Sequence, residues 1–357
     1  MSVSKDTRVD EQALLRLARE GDTGAFGDLV EVYRSGLRAH CYRMLGSVHD
    51  ADDALQDALL RAWRSLAGFE GRGSVRSWLY SIATNTALDS MKHRSRRELP
   101  VDFRPAAERL ADLRGPLAEP LWLEPYPDQW LTGTVRLSPE ARYEQRESLE
   151  LAFLAVVQQL PPLQRAVLLL REVVGFSTAE ICGQLGASRS AVNSALQRAR
   201  AAAAGRLPAG SQQSALRLLG DKRTQQIVGQ FADALERGDA DTLITMLTAD
   251  VSWSMPPYPT WFQGHAGVRE FVERFPLTER WRHRPTRVNG QLALGGYMFS
   301  TARDAYVAAA INVLTLDGER ISAVTAFLAA ETLEPPDCDR WIGGAELFAR
   351  FGLPGSA

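Results

Sequence analysis

The sequence predicts a multidomain chain in which two all-α blocks precede an α+β block. Three observations carry this expectation. Apolar residues recur at spacings of three and four over residues 11 to 97, and again from 148 to about 206. Between these stretches prolines at 100, 105, 116, 120, 125, 127 and 139 break the pattern, and nine acids against six arginines make the break acidic, as in a linker. Near residue 221 a third block opens with two helical patterns and closes with short β-like runs, an order that implies α+β.

Composition bounds the rest. A chain of 357 residues, 45% hydrophobic and 24% charged, suits two or three globular domains and excludes a disordered tail. Cys41, Cys182 and Cys338 lie far apart without a C-x-x-C pair, so neither a disulfide framework nor a cysteine-rich zinc site is expected. The N-terminal MSVSKDTRVDEQ has no apolar core, and no run approaches the roughly 18 apolar residues that span a bilayer. A cytoplasmic location away from membranes is therefore expected. The net charge of -2 conceals two basic clusters: Lys92, Arg94, Arg96 and Arg97 against Asp89, and Arg189, Arg198, Arg200 and Arg206 with no acid between Gly186 and Arg206. Affinity for nucleic acid follows such patches, not the total.

Each block has its own signature. In DADDALQDALLRAW, Ala51, Ala54, Leu55, Ala58, Leu59 and Ala62 form one stripe and the opposite face is acidic. The following helix, SVRSWLYSIATNTALDSMKHRSRR, starts at a Ser74 cap after Gly71 and Gly73 and runs into the first basic cluster. On it Asn85, Asp89, Lys92, His93 and Arg96 recur at three to four residues, which places an amide and several cations on one face. Trp78 at helical spacing reads as core, whereas Phe69 and Arg72 in the preceding loop suit contact with an unstacked base.

The second block holds FSTAEICGQLGASRSAVNSALQRARAAAAG, a short helix, a tight Gly186, Ala187 turn and a second helix from Ser188, which is helix-turn-helix spacing. Ala179, Ile181, Cys182, Leu185, Val192 and Leu196 would pack inward. Arg189, Ser190, Asn193, Ser194, Gln197, Arg198 and Arg200 would face out, where Arg and Asn can bond base edges and Ser and the last arginines can hold phosphates.

Taken in order, DADDALQDALLRAW, FEGRGSVRSWLYSIATNTALDSMKHRSRR and LPPLQRAVLLLREVVGFSTAEICGQLGASRSAVNSALQRARAAAAGRL resemble the extracytoplasmic-function (ECF) sigma factors of the sigma-70 family over about residues 11 to 206. The resemblance implies sigma region 2 at 11 to 99, an acidic linker at 100 to 147 and sigma region 4 at 148 to 207. It further implies that Asp53, Gln56 and Asp57 dock on the clamp helices of the polymerase β′ subunit. Phe69, Arg72, Asn85, Asp89, Lys92, His93, Arg96 and Arg97 would then serve the -10 element. The helix-turn-helix would read the -35 element and pack on the β flap. WLEPYPDQWL, with Trp122, Pro125 and Trp130, resembles the linker motif of sigma factors that carry an extra C-terminal domain, which implies a contact with that domain.

The block at 221 to 335 resembles the SnoaL-like branch of the nuclear transport factor 2 superfamily, on FADALERGDADTLITMLTADVSWSMPP, FQGHAGVREFVERF and the β-rich end, and residues 336 to 357 form a C-terminal extension. That resemblance implies a cone with an apolar cavity, which Asp250, Trp253, Tyr258, Trp261, His265 and Tyr297 could line and which could take a small ligand. Spacing places no two titratable groups opposite each other, and the Asp317, Gly318 pair marks a hairpin. Histidines 40, 49, 93, 265 and 283 show no metal-site spacing, and no phosphate loop or nucleophile elbow is present, so no metal, cofactor or catalytic residue is implied. The reading is a non-enzymatic sigma factor that directs core RNA polymerase to promoter DNA and is regulated in cis by the C-terminal domain. Its rivals are a conventional helix-turn-helix regulator and a SnoaL-like enzyme fused to a DNA-binding module.

Overall fold

Capping residues start and stop the helices of the computed structural model, which describes residues 5–69, 71, 73–92, 95–117, 122–131, 145–208, 210–329 and 343–357. The chain forms two compact bodies that interleave in sequence. One combines the chain up to 95 with 130–145 and 156–206; the other combines 96–129, 146–155 and 207–357. The linker and the approach to the second α block thus belong with the C-terminal block.

The first body opens with α1 (Lys5–Arg19), α2 (Thr23–Leu45), α3 (Val48–Ser65) and α4 (Val75–Met91). Asp22 caps α2 by accepting from the Gly24 and Ala25 amides, and Gly46 ends it in the left-handed region at φ 71°. Ser74 caps α4 by accepting from the Ser77 amide at 3.1 Å. Ala51, Ala54, Leu55, Ala58 and Ala62 of α3 are buried, so the alanine-rich stripe lets neighbouring helices approach closely.

In the second body a helical turn, α5 (Pro100–Phe103), precedes the linker motif, and α6 (Leu151–Gln158) follows the 146–150 segment, its residues from 156 on counting with the first body. The first body resumes with α7 (Pro162–Leu168), α8 (Thr178–Leu185) and α9 (Arg189–Ala203).

The rest of the second body is α10 (Gln212–Arg237), α11 (Ala240–Thr245), α12 (Gly264–Arg274), α13 (Gly344–Ala349) and one six-stranded sheet. Its strands are β1 (Leu247–Ser254), β2 (Trp261–Gln263), β3 (Trp281–Val288), β4 (Gln291–Ser300), β5 (Ala305–Asp317) and β6 (Arg320–Leu328), in the order β2-β1-β6-β5-β4-β3. The β1·β6 pair is parallel and the others are antiparallel. Strand alternation splits the sheet between two cores. Leu292, Leu294, Leu314 and Val324 pack with Phe231 and Leu235 of α10 and Phe271 of α12, whereas Tyr297 turns to the opposite face against Phe348 of α13. The hairpin marked by Asp317 and Gly318 joins β5 to β6, with Asp317 opposite Arg320 and Gly318 at φ 58°. A second two-residue turn, Asn289-Gly290, joins β3 to β4 with both residues at positive φ, 55° and 72°.

Candidate nucleic-acid interface

The reader helix is held by a capped turn. Ser177 and Glu180 form a reciprocal capping box at the start of α8, Gly186 closes it at φ 60°, and Ser188 caps α9 by accepting from the Ala191 amide. Ile181, Val192, Ala195, Leu196 and Ala199 are buried behind the motif. Ala179, expected to face inward, is exposed, because Ile181 and Gln184 take the inward positions of this short helix. Arg189, Ser190, Asn193, Ser194, Gln197, Arg198 and Arg200 are all exposed along α9. Arg200 pairs with Glu172, while Arg189 and Arg198 have no partner among the described residues.

The face of α4 that carries Asn85 meets the end of α8 within the same body. The Asn85 amide donates to the carbonyls of Ser81 at 2.9 Å and Gln184 at 3.2 Å. Ser81 Oγ donates to the same Gln184 carbonyl, and Gln184 Nε2 donates to Ser77 Oγ at 2.9 Å. Arg76 lies with its guanidinium 4.6 Å from the Phe176 ring centroid and donates to the Val174 carbonyl. Asp89 is exposed and bonds Lys92 and Arg61, the Lys92 bond first among the causes that hold its carboxyl below the usual range.

Two expectations on this face change. Helix α4 ends at Met91 and the chain from 95 becomes extended, Glu98 bridging to Trp122, so Arg96 and Arg97 do not continue the Asn85 row. Arg96 binds Glu98, and Arg97 donates to the Trp122 carbonyl at 3.0 Å and to Glu124 at 3.1 Å, clasping the linker motif. Phe69 is also not presented outward: its ring stacks on Trp78 at 4.8 Å, in line with a packing role for Trp78, and the Arg19 guanidinium lies 5.8 Å from its centroid. Arg72 and His93 lie outside the described residues.

On α3, Asp53, Gln56 and Asp57 are exposed beside Leu60, which is 46% exposed. Gln56, Leu59, Leu60 and Trp63 of α3 border a groove of about 540 Å³ with Phe26 and Arg34 of α2.

The linker motif docks on the β3–β4 turn of its own body. Trp122 is buried and its indole donates to the Leu117 carbonyl at 2.8 Å; Pro125 is half-buried; Tyr126 is fully buried. Asn289 Oδ1 accepts from the Tyr126 amide at 2.9 Å, Asn289 Nδ2 donates to the Leu149 carbonyl at 2.8 Å, and Asp128 accepts from the Gly290 amide at 2.7 Å. A Cβ on Gly290 would sit 3.0 Å from the Arg146 carbonyl and 3.0 Å from Gln213 Nε2, so space as well as φ requires glycine. Trp130, in the first body, lies under the Arg38 guanidinium at 4.8 Å.

Beside this turn Glu150 accepts from the Gln213 amide at 3.0 Å, and burial raises its carboxyl to about 7 from 4.5. A raised folded-state value means that the folded chain holds this proton when the unfolded chain has lost it. The contribution of Glu150 is therefore most favourable below about 4.5 and is lost as pH rises to about 7. Urea midpoints measured across this window should fall with rising pH, and Glu150→Gln should flatten that portion of the curve. An unchanged slope in the variant would remove Glu150 as its source.

The cone cavity, about 350 Å³, is lined by Trp253 and Tyr258 among the six residues expected there. The other four point elsewhere. Asp250 is exposed on β1; Trp261 donates its indole N–H to the Arg104 carbonyl; His265 bonds the Leu247 carbonyl; and Tyr297 donates to the Pro354 carbonyl on the opposite face of the sheet. The polar groups that do line the cavity include His283 and Asn312, and Glu236 stands behind His283 at 3.3 Å from Nδ1. Spacing gives no sign of these, since they come from three separate elements. Among the described residues no cluster of His, Cys, Asp and Glu could hold a metal ion, and no helix is long and apolar enough to cross a membrane.

A helical body with a helix-turn-helix, joined to a mixed sheet wrapped by helices, defines a DNA-reading protein with a separate cone domain. The Sigma-70 region 2 family model matches residues 29–97, the Sigma-70 region 4 model residues 150–202 and the SnoaL-like domain model residues 228–324. The ECF RNA polymerase sigma factor SigG of Mycobacterium tuberculosis is 39% identical over 344 residues, covering 93% of this chain and 85% of that protein. SigJ of the same organism is 28% identical, covering 63% of this chain and 62% of that protein. The crystal structure of M. tuberculosis SigJ superposes with a TM-score of 0.53 at 20% identity, covering 85% of this chain and 97% of that one, and so shares the fold. The chain belongs to the ECF RNA polymerase sigma factors.

Proposed function

We propose that α3, through Asp53, Gln56, Asp57 and the apolar groove beside them, docks on core polymerase in the cytoplasm. In this reading Asn85 and Lys92 engage the -10 strand, α9 reads the -35 element, and the C-terminal body tunes the sigma activity through the linker without catalysis of its own. The observation that carries the DNA assignment is the row of seven exposed polar and basic side chains on α9, presented by a capped left-handed turn. Since Asn85 is bonded to the Gln184 carbonyl in the same body, the free chain is expected to bind duplex promoter DNA poorly and to do so well with core polymerase.

In-vitro transcription with purified core polymerase tests the reading: promoter-specific transcripts support it. Tight binding to an operator with polymerase specificity unchanged would favour the conventional regulator instead. Arg189→Ala should weaken -35 recognition by about 1–3 kcal/mol, as for a lost bidentate base contact, read as promoter occupancy. Asn85→Ala should impair opening at the -10 element by a comparable amount, as for one lost base contact, read by permanganate reactivity of unpaired thymines. Unaltered opening would remove Asn85 from the site.

A further inference from the structure

The cavity of the C-terminal body ends in polar groups that its fold does not use. Asn312 lies on β5 between Ala310 and Leu314 in an otherwise apolar row; it is 7% exposed, faces the cavity, and its side-chain amide has no partner among the described residues. A buried amide left without a partner is costly, and such groups call for an explanation. His283 stands beside it with only 1% of its side chain exposed. Glu236 accepts both from the His283 backbone amide at 2.6 Å and from the ring at Nδ1. Hydrogen bonding to His283 holds the Glu236 carboxyl below its usual range, so it accepts from Nδ1, and Nε2 is the ring nitrogen left at the cavity end.

Gly296 on β4 keeps this end open. Its backbone is not in the left-handed region, so conformation does not demand glycine. A Cβ there would lie 3.2 Å from Asn312 Nδ2 and 3.4 Å from His283 Nε2, filling the space that these two nitrogens bracket. Most of the remaining wall is apolar and aromatic, with Trp253, Met255 and Phe271, while the exposed Arg274, Thr278 and Glu279 add polar groups to it, and one side is lined by Leu113 of the linker. The Leu113 segment is fastened nearby: the amides of Ala107, Arg114 and Leu117 donate to the Trp261 carbonyl, Thr260 Oγ1 and the Pro257 carbonyl.

We propose that this cavity is a binding site for a small, neutral, largely apolar alcohol or phenol, whose hydroxyl donates to His283 Nε2 and accepts from Asn312 Nδ2 while its body packs against Leu113. A hydroxyl is the group that satisfies one donor and one acceptor through a single oxygen. Since Leu113 is part of the wall, occupancy is felt by the linker. This goes beyond the promoter-recognition reading, and its binding test does not depend on sigma activity.

The test uses the full chain with 2-naphthol, and with 2-methoxynaphthalene as the analogue that can accept but not donate. Calorimetry should give saturable one-to-one binding of 2-naphthol, with the methoxy compound about tenfold weaker for want of one hydrogen bond. Asn312→Leu should weaken both compounds, since each accepts at its oxygen, while raising the melting temperature of the unliganded protein, since it removes an unpartnered buried amide; His283→Phe should abolish the preference. Gly296→Ala should weaken 2-naphthol binding by filling the polar end. Hydrogen exchange at the Ala107, Arg114 and Leu117 amides should slow when 2-naphthol is bound. Absent saturable binding, equal affinity for the two compounds, or an affinity for 2-naphthol that Asn312→Leu leaves unchanged, overturns the site. Binding with exchange at 107–117 unaltered overturns the coupling to the linker.

Discussion

Arg165→Met is expected to destabilise the helical body by about 3–5 kcal/mol, because several buried acceptors each lose a hydrogen bond from a charged donor, at about 1.5–3 kcal/mol apiece. Arg165 is 4% exposed, and its guanidinium donates to the carbonyls of Met44, Gln158 and Leu160 and to Gln158 Oε1. Gln158 Nε2 in turn donates to the Arg43 carbonyl at 2.9 Å. Met44 and Arg43 stand in the last turn of α2, where carbonyls have no intrahelical partner, so a cation there meets both an unfilled acceptor and the negative end of the helix. Methionine replaces the apolar stem but brings no donor, and several carbonyls would be left dry. Arg165→Lys, with a single ammonium, should recover only part of the loss. Urea unfolding of both variants, with Gln158→Ala completing a double-mutant cycle, checks this. A loss below about 1 kcal/mol for Arg165→Met would mean that water replaces the guanidinium.

The parts of this molecule that were legible in the sequence are those set by neighbours along the chain. The α3 stripe, the Ser74 cap, the seven outward residues of α9 and the Asp317, Gly318 hairpin each depend on spacing within one element or turn. The Asn289-Gly290 turn was readable by the same chemistry, an Asn-Gly pair between β-like runs, but its role as an anchor was not. That role comes from Tyr126 and Leu149, more than a hundred residues away. The cavity was the least legible part. Glu236, His283, Gly296 and Asn312 belong to α10, β3, β4 and β5, and no period relates them. Tyr297 failed as a cavity residue because β4 alternates, with Leu292, Leu294, Gly296 and Met298 on the cavity side, so that the ring at 297 falls on the opposite face and packs on α13. For Arg97, read as a DNA contact, charge alone did not show that its guanidinium is engaged by a carbonyl and a carboxylate.

Asn289→Ala should carry the other large effect, about 3–6 kcal/mol, in the second body. Asn289 is fully buried at φ 55°, and its side chain is at once acceptor for the Tyr126 amide and donor to the Leu149 carbonyl. Alanine leaves both backbone groups unsatisfied, at about 1–3 kcal/mol each, and lacks the polar side chain that lets asparagine tolerate the left-handed region. Asn289→Gly separates these contributions: it relieves the backbone cost but not the two lost bonds, so it should fall short of wild type by more than it gains over alanine. The Asn289 backbone also donates to the Tyr126 carbonyl, and this bond survives both substitutions, so the turn should loosen without vanishing. Thermal unfolding gives the magnitude, and hydrogen exchange at the Tyr126 amide locates it: exchange should quicken in both variants. Fast exchange at Tyr126 with little change in melting temperature would mean that the linker peels away while the cone stays intact. A loss of stability with Tyr126 still protected would contradict the assignment of Asn289 as the residue that fastens the linker.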